Sequence, residues 1–294
     1  MALETLLLDY DAAIRIGLLL GIFTVMALRE AVAPLRPPRI SKAIRWSNNM
    51  ALAAVNVALV RVLSPLAAVG VAFYAAEHGA GLLNIFPVPY AVAIPLSFLA
   101  LDLSVYFLHL LFHAAPVLWR VHRVHHTDID FDVSTGLRFH PVQIVLAAIV
   151  KLATVLLLGP PLLAVITFEL ASTAITLFNH GNMRMPAWLE QALRWIVVTS
   201  DMHLVHHSIV TAETDSNFGF ILPWWDRLFG TYRAGPVAGH ARMVVGIESF
   251  RTERELWLDR PMLNPLLREP AARLRSVSAS RITMEDEHEQ RFAG

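Results

Sequence analysis

Most histidines of this chain are concentrated in one region, where their spacing suits the binding of metal ions. Ten of the 13 histidines lie between positions 109 and 207, and nine of these fall into patterned groups. The groups are His109-x3-His113, His122-x2-His125-His126, the single His180, and His203-x2-His206-His207. A structural zinc is satisfied by four protein ligands, and a catalytic zinc by three plus water. Nine candidate ligands therefore predict a site for two metal ions.

The spacing within the groups fits helices that present several imidazoles to one pocket. Residues i, i+3 and i+4 share a helix face, so His109 and His113 form a pincer. The adjacent His125 and His126 diverge by about 100° on a helix, which lets each ligate one of two neighbouring metals while His122 supports the first. Because the His-x-x-His-His triplet occurs twice, we expect two equivalent half-sites.

The remaining histidines are less informative. A single buried imidazole is more often a hydrogen-bonded residue than a ligand, and among the nine this alternative applies most to His180. His140, in Arg138-Phe-His-Pro141, is a candidate tenth ligand, a candidate partner of a ligand, or a turn residue. Three others stand alone in polar surroundings and are expected to be solvated: His78, His240 and His288.

Composition places the chain among membrane proteins. It has 294 residues, of which 55% are hydrophobic and 16% charged, and soluble domains are rarely so apolar. Cysteine is absent, which excludes disulfides, iron–sulfur clusters and thiolate-ligated haem. The net charge is zero and no basic run is interleaved with aromatic residues, so we expect no nucleic-acid partner.

Five apolar stretches predict the helices that position the histidines: Ala12–Val32, Ala51–Ala75, Val88–Phe112, Val142–Leu158 and Leu162–Phe178. The first three are long enough to span a membrane. The last two are joined by Gly159-Pro-Pro and predict a hairpin that returns to its starting side. Its arms are near the lower length limit and Lys151 lies in one of them, so the sequence leaves open whether the hairpin crosses fully.

Basic residues predict the orientation. The segment 29–45 carries five of them, which places it in the cytosol, with the amino terminus and the basic-free 76–87 loop outside. All candidate ligands and the carboxyl terminus then lie on the cytosolic side. Ala31-Val-Ala resembles a signal-peptide cleavage site, but the preceding acidic leader favours a retained span.

Three segments follow the second triplet, and the first of them has two interpretations. Residues 217–232 contain Trp224 and Trp225, which predict either an interfacial aromatic belt or a lid beside the metals. Phe250–Leu267 is amphipathic enough to lie on the membrane surface. From Arg268 onward, mixed charges with Ser and Ala predict a solvated, poorly ordered tail.

Six ordered motifs resemble the sterol desaturase/fatty acid hydroxylase superfamily. They are the three histidine groups His109-x3-His113, His122-Arg-Val-His-His126 and His203-Leu-Val-His-His207, with Arg138-Phe-His-Pro141, Asn179-His-Gly-Asn182 and Trp225-Asp-Arg-Leu-Phe-Gly-Thr231. The resemblance implies two non-haem iron ions, ligated by the nine histidines, which activate O2 to hydroxylate or desaturate a membrane lipid. It also implies an all-α integral membrane fold, in which about three spans and a hairpin form a stem below a cytosolic helical cap.

The resemblance divides one membrane domain into N-terminal spans (1–94), a catalytic core (95–235) and an interfacial segment with a tail (236–294). Some relatives have a further histidine where this chain has Thr176. A tenth ligand is then missing, replaced by water, or supplied by His140, Asn179 or Asn182. Asp201, Asn182 and Thr176 are the candidates for residues that support the ligands.

Ligand type alone does not choose the metal, because neutral imidazole suits zinc, copper, iron and nickel. A metal-dependent membrane hydrolase is one alternative function, although few carboxylates lie at ligand spacing. A metal-binding or haem-binding membrane protein is another. The chain shows no flavin, nicotinamide or iron–sulfur motif, so we expect an external reductase, ferredoxin or cytochrome to dock, with Arg120, Arg123 and Arg194 as candidate contacts. The lipid remains open among fatty acyl chains, sterols, carotenoids and alkyl ethers.

Overall fold

The computed structural model describes residues 2–63, 67–86 and 88–269, and every regular element within these ranges is helical. The α-helices are α1 (Ala2–Asp9), α2 (Asp11–Val32), α3 (Lys42–Leu63), α4 (Ala67–Glu77), α5 (Leu82–Ile85), α6 (Tyr90–Ala114), α7 (Pro116–His126), α8 (Pro141–Leu158), α9 (Leu162–Asn179), α10 (Ala187–Leu193), α11 (Ser200–His206), α12 (Thr211–Thr214), α13 (Trp224–Leu228) and α14 (Asp259–Leu263). Short 3-10 helices span Val133–Leu137, Glu253–Leu256 and Asn264–Leu266. The expected all-α class is confirmed.

A stem of long apolar helices forms one half of the molecule. α6 packs against α8 and α9, and α2 packs against α9. By length and composition, five helical stretches are able to cross a membrane: Asp11–Val32, Lys42–Ile85, Tyr90–Ala114, Pro141–Leu158 and Leu162–Asn179. The chain is therefore a multi-pass membrane protein. Many apolar side chains on these helices are exposed, as lipid contact requires, among them Leu20, Leu28 and Val57.

The expected second span differs from the structure. Ala51–Ala75 is divided between α3 and α4, and residues 64–66 between them lie outside the described ranges. α3 also begins nine residues earlier, at Lys42. The early start has a physical reason, because Arg45 and Asn49 on its first turns are buried in polar contacts instead of facing solvent.

Local sequence explains how the helices that carry histidines begin and end. α6 ends at Ala114 and Pro116 occupies the first position of α7, which proline favours because it has no amide hydrogen to leave unpaired. α8 ends at Gly159, whose φ of 63° is the left-handed conformation that favours glycine. A β-carbon there would lie 2.5 Å from the carbonyl oxygen of Ala80, so the predicted hairpin also needs glycine for a close approach.

We call residues 116–140 and 180–269, which lie between or after the long helices α6, α8 and α9, the cap. Glu30, at the end of α2, joins the two parts by accepting hydrogen bonds from the backbone N–H groups of Val133 (2.7 Å) and Asn182 (2.9 Å). Arg36 is also buried, and its guanidinium donates to the carbonyl oxygens of His240 and Met243. The 29–45 segment therefore forms hydrogen bonds with the cap in addition to carrying the basic residues.

The segment 250–267, which the sequence predicts to lie on the membrane surface, is partly buried within the protein. It forms three short helical turns, and Leu256, Pro261 and Asn264 are buried while Trp257 and Leu266 are exposed. The reason is that Asn264 binds a buried arginine of α7. Most of the expected disordered tail, residues 270–294, lies outside the described residues.

Candidate metal centre

The structure brings the nine patterned histidines into two adjacent groups, within each of which one nitrogen per ring lies within 4.8 Å of all the others. Cluster A contains His109, His113, His122, His126 and His206. Cluster B contains His125, His180, His203 and His207. The imidazole rings of His126 and His207, one from each cluster, stack at a centroid distance of 4.6 Å. Two metal positions side by side are the arrangement that this geometry supports.

In each triplet, the middle histidine lies in a different cluster from the two outer histidines. α7 gives His122 and His126 to cluster A but His125 to cluster B, whereas the second triplet gives its outer rings to cluster B and His206 to cluster A. The outer rings of a triplet are four residues apart and share a helix face, while the middle ring points about 60° or more away. The half-sites are unequal, however, with five histidines in one and four in the other.

The ring nitrogens converge in a way that suits a cation. In cluster B, Nε2 of His180 lies 3.1 Å from Nε2 of His125 and 3.0 Å from Nε2 of His203. In cluster A, the Nε2 atoms of His109 and His206 are buried without a hydrogen-bond partner among the described residues. Lone pairs that face one another are unfavourable unless a proton or metal lies between them. The donor set therefore fits metal ions held by neutral imidazoles.

The opposite nitrogens of these rings fix their orientation. Nδ1 of His125 donates to the carbonyl oxygen of Arg138 at 3.2 Å, and Nδ1 of His180 donates to that of Thr176 at 2.7 Å. An Nδ1–H bound to a carbonyl leaves the lone pair on Nε2, which is the tautomer that a metal ion requires. Thr176, a predicted supporting residue, thus acts on His180 through its backbone.

Burial keeps the rings outside the apolar helices neutral. It lowers the pKa of His180 to about 4, and it lowers the pKa of His126 and His203 well below the ordinary value, with neighbouring imidazoles adding to the shift. At neutral pH a proton therefore does not compete for these nitrogens. Both clusters contain histidine alone within the described residues, with no carboxylate among the grouped ligand atoms.

A buried ionic network lies beside cluster B. Arg45 of α3 makes a bidentate pair with Asp128, with both N–O distances at 2.8 Å, and also binds Asp132. Arg138 donates to the side chain of Asn49 and to the carbonyl oxygen of Val124. The carbonyl of Arg138 is the one that orients His125, so the network positions a cluster B ring. The signal of this role in the sequence was limited to two polar residues one helical turn apart, Arg45 and Asn49.

Three of the other predicted residues lie elsewhere. His140 caps α8, where its Nδ1 accepts from the backbone N–H of Val142 at 3.1 Å and its Nε2 binds the carbonyl oxygen of Met262. The side chain of Asn182 binds the backbone of Arg36 through both of its polar atoms. Asp201 is half-buried, and the contact found for it is through its backbone carbonyl.

The arginines expected to face an electron donor have different environments. Arg120 is exposed on α7. Arg123 is 1% exposed, and its guanidinium binds the side chain and carbonyl oxygen of Asn264, so the expectation that it contacts a partner is wrong. Arg194 is half-buried and pairs with Glu190 at 2.7 Å.

Two carboxylates whose role was not evident from the sequence bind the tryptophan segment, residues 217–232. They are Asp102 and Asp226. Asp102, buried on α6, accepts a hydrogen bond from the indole of Trp225 at 2.8 Å. Asp226 is fully buried and accepts from the backbone N–H groups of Phe218 and Gly219. An isolated acid two helical turns before His109 in an apolar stretch was the available signal. Trp224 is 47% exposed, as a belt residue would be, whereas Trp225 faces the protein.

Comparison with known proteins gives a family match and several similar proteins over the region of the site. Residues 94–231 match the fatty acid hydroxylase family profile. Over 148 residues the chain is 31% identical to the ornithine lipid hydroxylase of Rhizobium tropici, which covers 50% of this chain and 44% of that protein. Human alkylglycerol monooxygenase is 27% identical over 143 residues (47% of this chain, 30% of that protein), and human cholesterol 25-hydroxylase is 25% identical over 140 residues (47% and 50%).

The chain thus spans half or less of the length of these relatives, and the matched part contains all nine clustered histidines. No solved structure gives a significant match. The motifs, the clusters and the family match coincide on the same residues. The match to the fatty acid hydroxylase family covers residues 94–231 and supports the resemblance of this chain to the sterol desaturase/fatty acid hydroxylase superfamily.

Proposed function

We propose that this chain is an O2-dependent, di-iron oxidoreductase that hydroxylates a lipid within the membrane. The observation that carries the proposal is the pair of all-histidine clusters at the ends of apolar helices. The named activities of the relatives, which are two hydroxylases and a monooxygenase, favour hydroxylation over desaturation. Ornithine lipid, alkylglycerol and cholesterol have in common only that they are lipids, so the substrate proposed here is a lipid with a long apolar part.

The overall reaction is balanced by an external reductant. A C–H bond is converted to C–OH while O2 takes up two electrons and two protons, and the second oxygen atom leaves as water. The rings of clusters A and B would hold two irons, which would supply the redox chemistry for the reduction of dioxygen. The electron donor is proposed to be a separate reductase, ferredoxin or cytochrome on the cytosolic side, near the exposed Arg120.

The chain's own residues have three tasks in this reaction. Neutral rings of both clusters hold the metals, and carbonyl groups such as that of Arg138 keep their Nε2 atoms directed inward. Apolar residues keep bulk water from the site, since Phe131 packs against His180 and His207, and Phe218 packs against His206. Excluding water limits loss of electrons to side reactions.

A membrane hydrolase is the second candidate, and the site favours it less. Two-metal hydrolytic sites hold their ions symmetrically around an attacking water. Bridging carboxylates would serve this purpose, but the groups formed by the described residues contain only imidazoles. A metal carrier would be expected to place its ligands along the spans, whereas here all but two lie beyond the ends of the apolar helices.

Isotope labelling separates these functions. Purified protein in nanodiscs, loaded with iron and given a chemical reductant and total membrane lipid, is expected to place 18O from 18O2 into a lipid product and to consume oxygen. His125→Ala and His206→Ala should lower product formation by at least about 100-fold. The exposed His78→Ala is the matched control and should keep full activity. Label entering from H2 18O instead of 18O2 would support hydrolysis and contradict the proposal.

A further inference from the structure

One short segment orients most of cluster A. Nδ1 of His113 pairs with Oδ1 of Asp215 at 3.0 Å, Nδ1 of His206 donates to the carbonyl oxygen of Ser216 at 2.8 Å, and Nδ1 of His109 donates to that of Phe218 at 2.9 Å. Three of the five cluster A rings, which come from two different helices, are therefore held by residues 215–218.

Cluster B does not depend on this segment. Its His125 and His180 bind the carbonyl oxygens of Arg138 and Thr176 instead. Among the contacts of the described residues, no ring of cluster B has a hydrogen bond to residues 215–231. The two proposed metal positions are thus oriented by separate parts of the chain.

The backbone of the segment has an unusual shape at Asn217. This residue has a φ of 52°, a left-handed conformation that asparagine tolerates better than most residues. Its side chain is buried, donates to the carbonyl oxygens of Met202 and Arg233, and accepts from the backbone N–H of Arg233. The carbonyls on either side of Asn217 are the two that bind cluster A, so its conformation sets where both of them point.

Two buried carboxylates fix the segment to the protein. Asp226 accepts from the backbone N–H groups of Phe218 (2.7 Å) and Gly219 (2.8 Å) and from the hydroxyl of Thr231 (2.7 Å). Asp102 accepts from the backbone N–H groups of Ile221 (3.0 Å) and Leu222 (3.1 Å) as well as from the indole of Trp225. Because Asp102 and His109 lie on the same helix, α6, the Asp102 carboxylate fixes the position of the segment along this helix, beside the His109 ring.

We propose that residues 215–231 form an orienting strap, and that Asp226 within the strap and Asp102 on α6 are positioning residues for cluster A alone. The proposal rests on the metal-binding function proposed above. In this proposal the segment around Trp224 and Trp225 is neither a lid nor only part of a membrane belt. The two carboxylates instead hold the Ser216 and Phe218 carbonyls that keep two imidazoles in the metal-binding tautomer.

The prediction is selective loss of one of two metals. In Asp226→Asn, one of the two oxygens becomes an NH2 group, so at least one buried N–H donor faces another donor. The strap shifts, and the affinity of cluster A for metal is expected to fall about 10–100-fold, the range for loss of an orienting partner. Cluster B should keep its metal. Asp102→Asn acts at the other end of the strap and should give the same pattern.

The experiment measures iron per chain and the 57Fe Mössbauer spectrum of the detergent-purified full chain after dialysis against a weak chelator. Wild type should retain about two irons, and each variant about one, with one spectral component lost and the other unchanged. Glu248→Gln, which removes an exposed carboxylate of the cap, is the matched control and should retain both. Gly219→Ala is a third variant that keeps both carboxylates but forces the strap to shift, because its β-carbon would lie 2.6 Å from Oδ2 of Asp226.

Each other outcome contradicts the inference. Retention of both irons in both Asn variants would show that the strap does not position cluster A. Equal loss from both clusters in folded, monodisperse protein would remove the selectivity. Failure of all three variants to fold would make the strap a folding element instead of a positioning one. A wild-type protein without two metals would overturn the proposed function itself, a result that is distinguishable from failure of the strap alone.

Discussion

Several clustered histidines use their two ring nitrogens for different tasks, and this division distinguishes them from the other histidines of the chain. In His125 and His180, Nδ1 is bound to a backbone carbonyl and Nε2 faces the other rings. His140 has neither arrangement, because its Nδ1 caps a helix and its Nε2 meets a carbonyl oxygen. Residue type is the same in all three, and only the partners differ.

The comparison of His140→Ala with His126→Ala tests this division. His126→Ala removes a buried cluster A ring and should lower the metal content by about one ion per chain. His140→Ala should retain both metals and lose only the cap of α8, at about 1 kcal/mol of stability. Metal analysis and thermal unfolding in the same detergent give the two readouts. Equal metal loss in both variants would make His140 a tenth ligand.

At the scale of elements, α3 has a larger role than its apolar half suggests. Its first turns insert Arg45 between Asp128 and Asp132, next to the 3-10 turn Val133–Leu137. Arg45 and Asp128 are both almost fully buried, so neither charge is compensated by water. Burial lowers the pKa of the Arg138 guanidinium to about 10, although the nearby Asp128 opposes this shift. Arg138 therefore stays charged at neutral pH.

Removing one partner of this network should therefore cost more than removing two. Arg45→Met leaves two buried carboxylates without their cation and should lower the free energy of unfolding by about 3–5 kcal/mol. Adding Asp128→Asn to it should recover part of that loss, because one of the unpaired charges disappears. Chemical unfolding in mild detergent measures both, with the exposed Arg242→Met as control. Additive losses in the double variant would show that the pair is not coupled.

At the scale of the whole molecule, one requirement connects stem and cap. The proposed ligands come from the end of α6, from α7, from the end of α9 and from α11, so the proposal requires that all four ends lie on the same side of the membrane. Three charged residues of the stem form ion pairs, since Glu169 of α9 binds both Lys151 of α8 and Arg15 of α2. These pairs fix the hairpin to the first long helix.

Cysteine labelling tests which side of the membrane each segment faces. Only the introduced cysteine can react, because the chain has no native cysteine. We expect Arg120→Cys and Ala241→Cys, both at exposed positions of the cap, to be shielded from an impermeant reagent in intact cells. Asp9→Cys and Glu77→Cys, at exposed positions near the end of the stem that is opposite the cap, should react. Reaction of Ala241→Cys with shielding of Arg120→Cys would place parts of one cap on two sides and contradict the proposed orientation.

The sequence by itself determined the local features of the site. The i, i+3 and i+4 spacing placed His122 and His126 on one face and turned His125 away, because helix geometry fixes these angles without reference to the rest of the fold. The apolar stretches likewise determined the stem helices and the hairpin at Gly159, because their length, hydropathy and turn residues are local properties.

Only the tertiary structure decided which rings share a cluster and what orients them. Asp102 meets residues about 120 positions later in the chain, and Arg45 meets Asp128 after 83 positions, so no local pattern announces either contact. The same holds for His140 and Arg123, whose partners lie in the segment 262–267. Spacing says which residues point the same way along one helix, whereas the partners they meet depend on how distant segments pack.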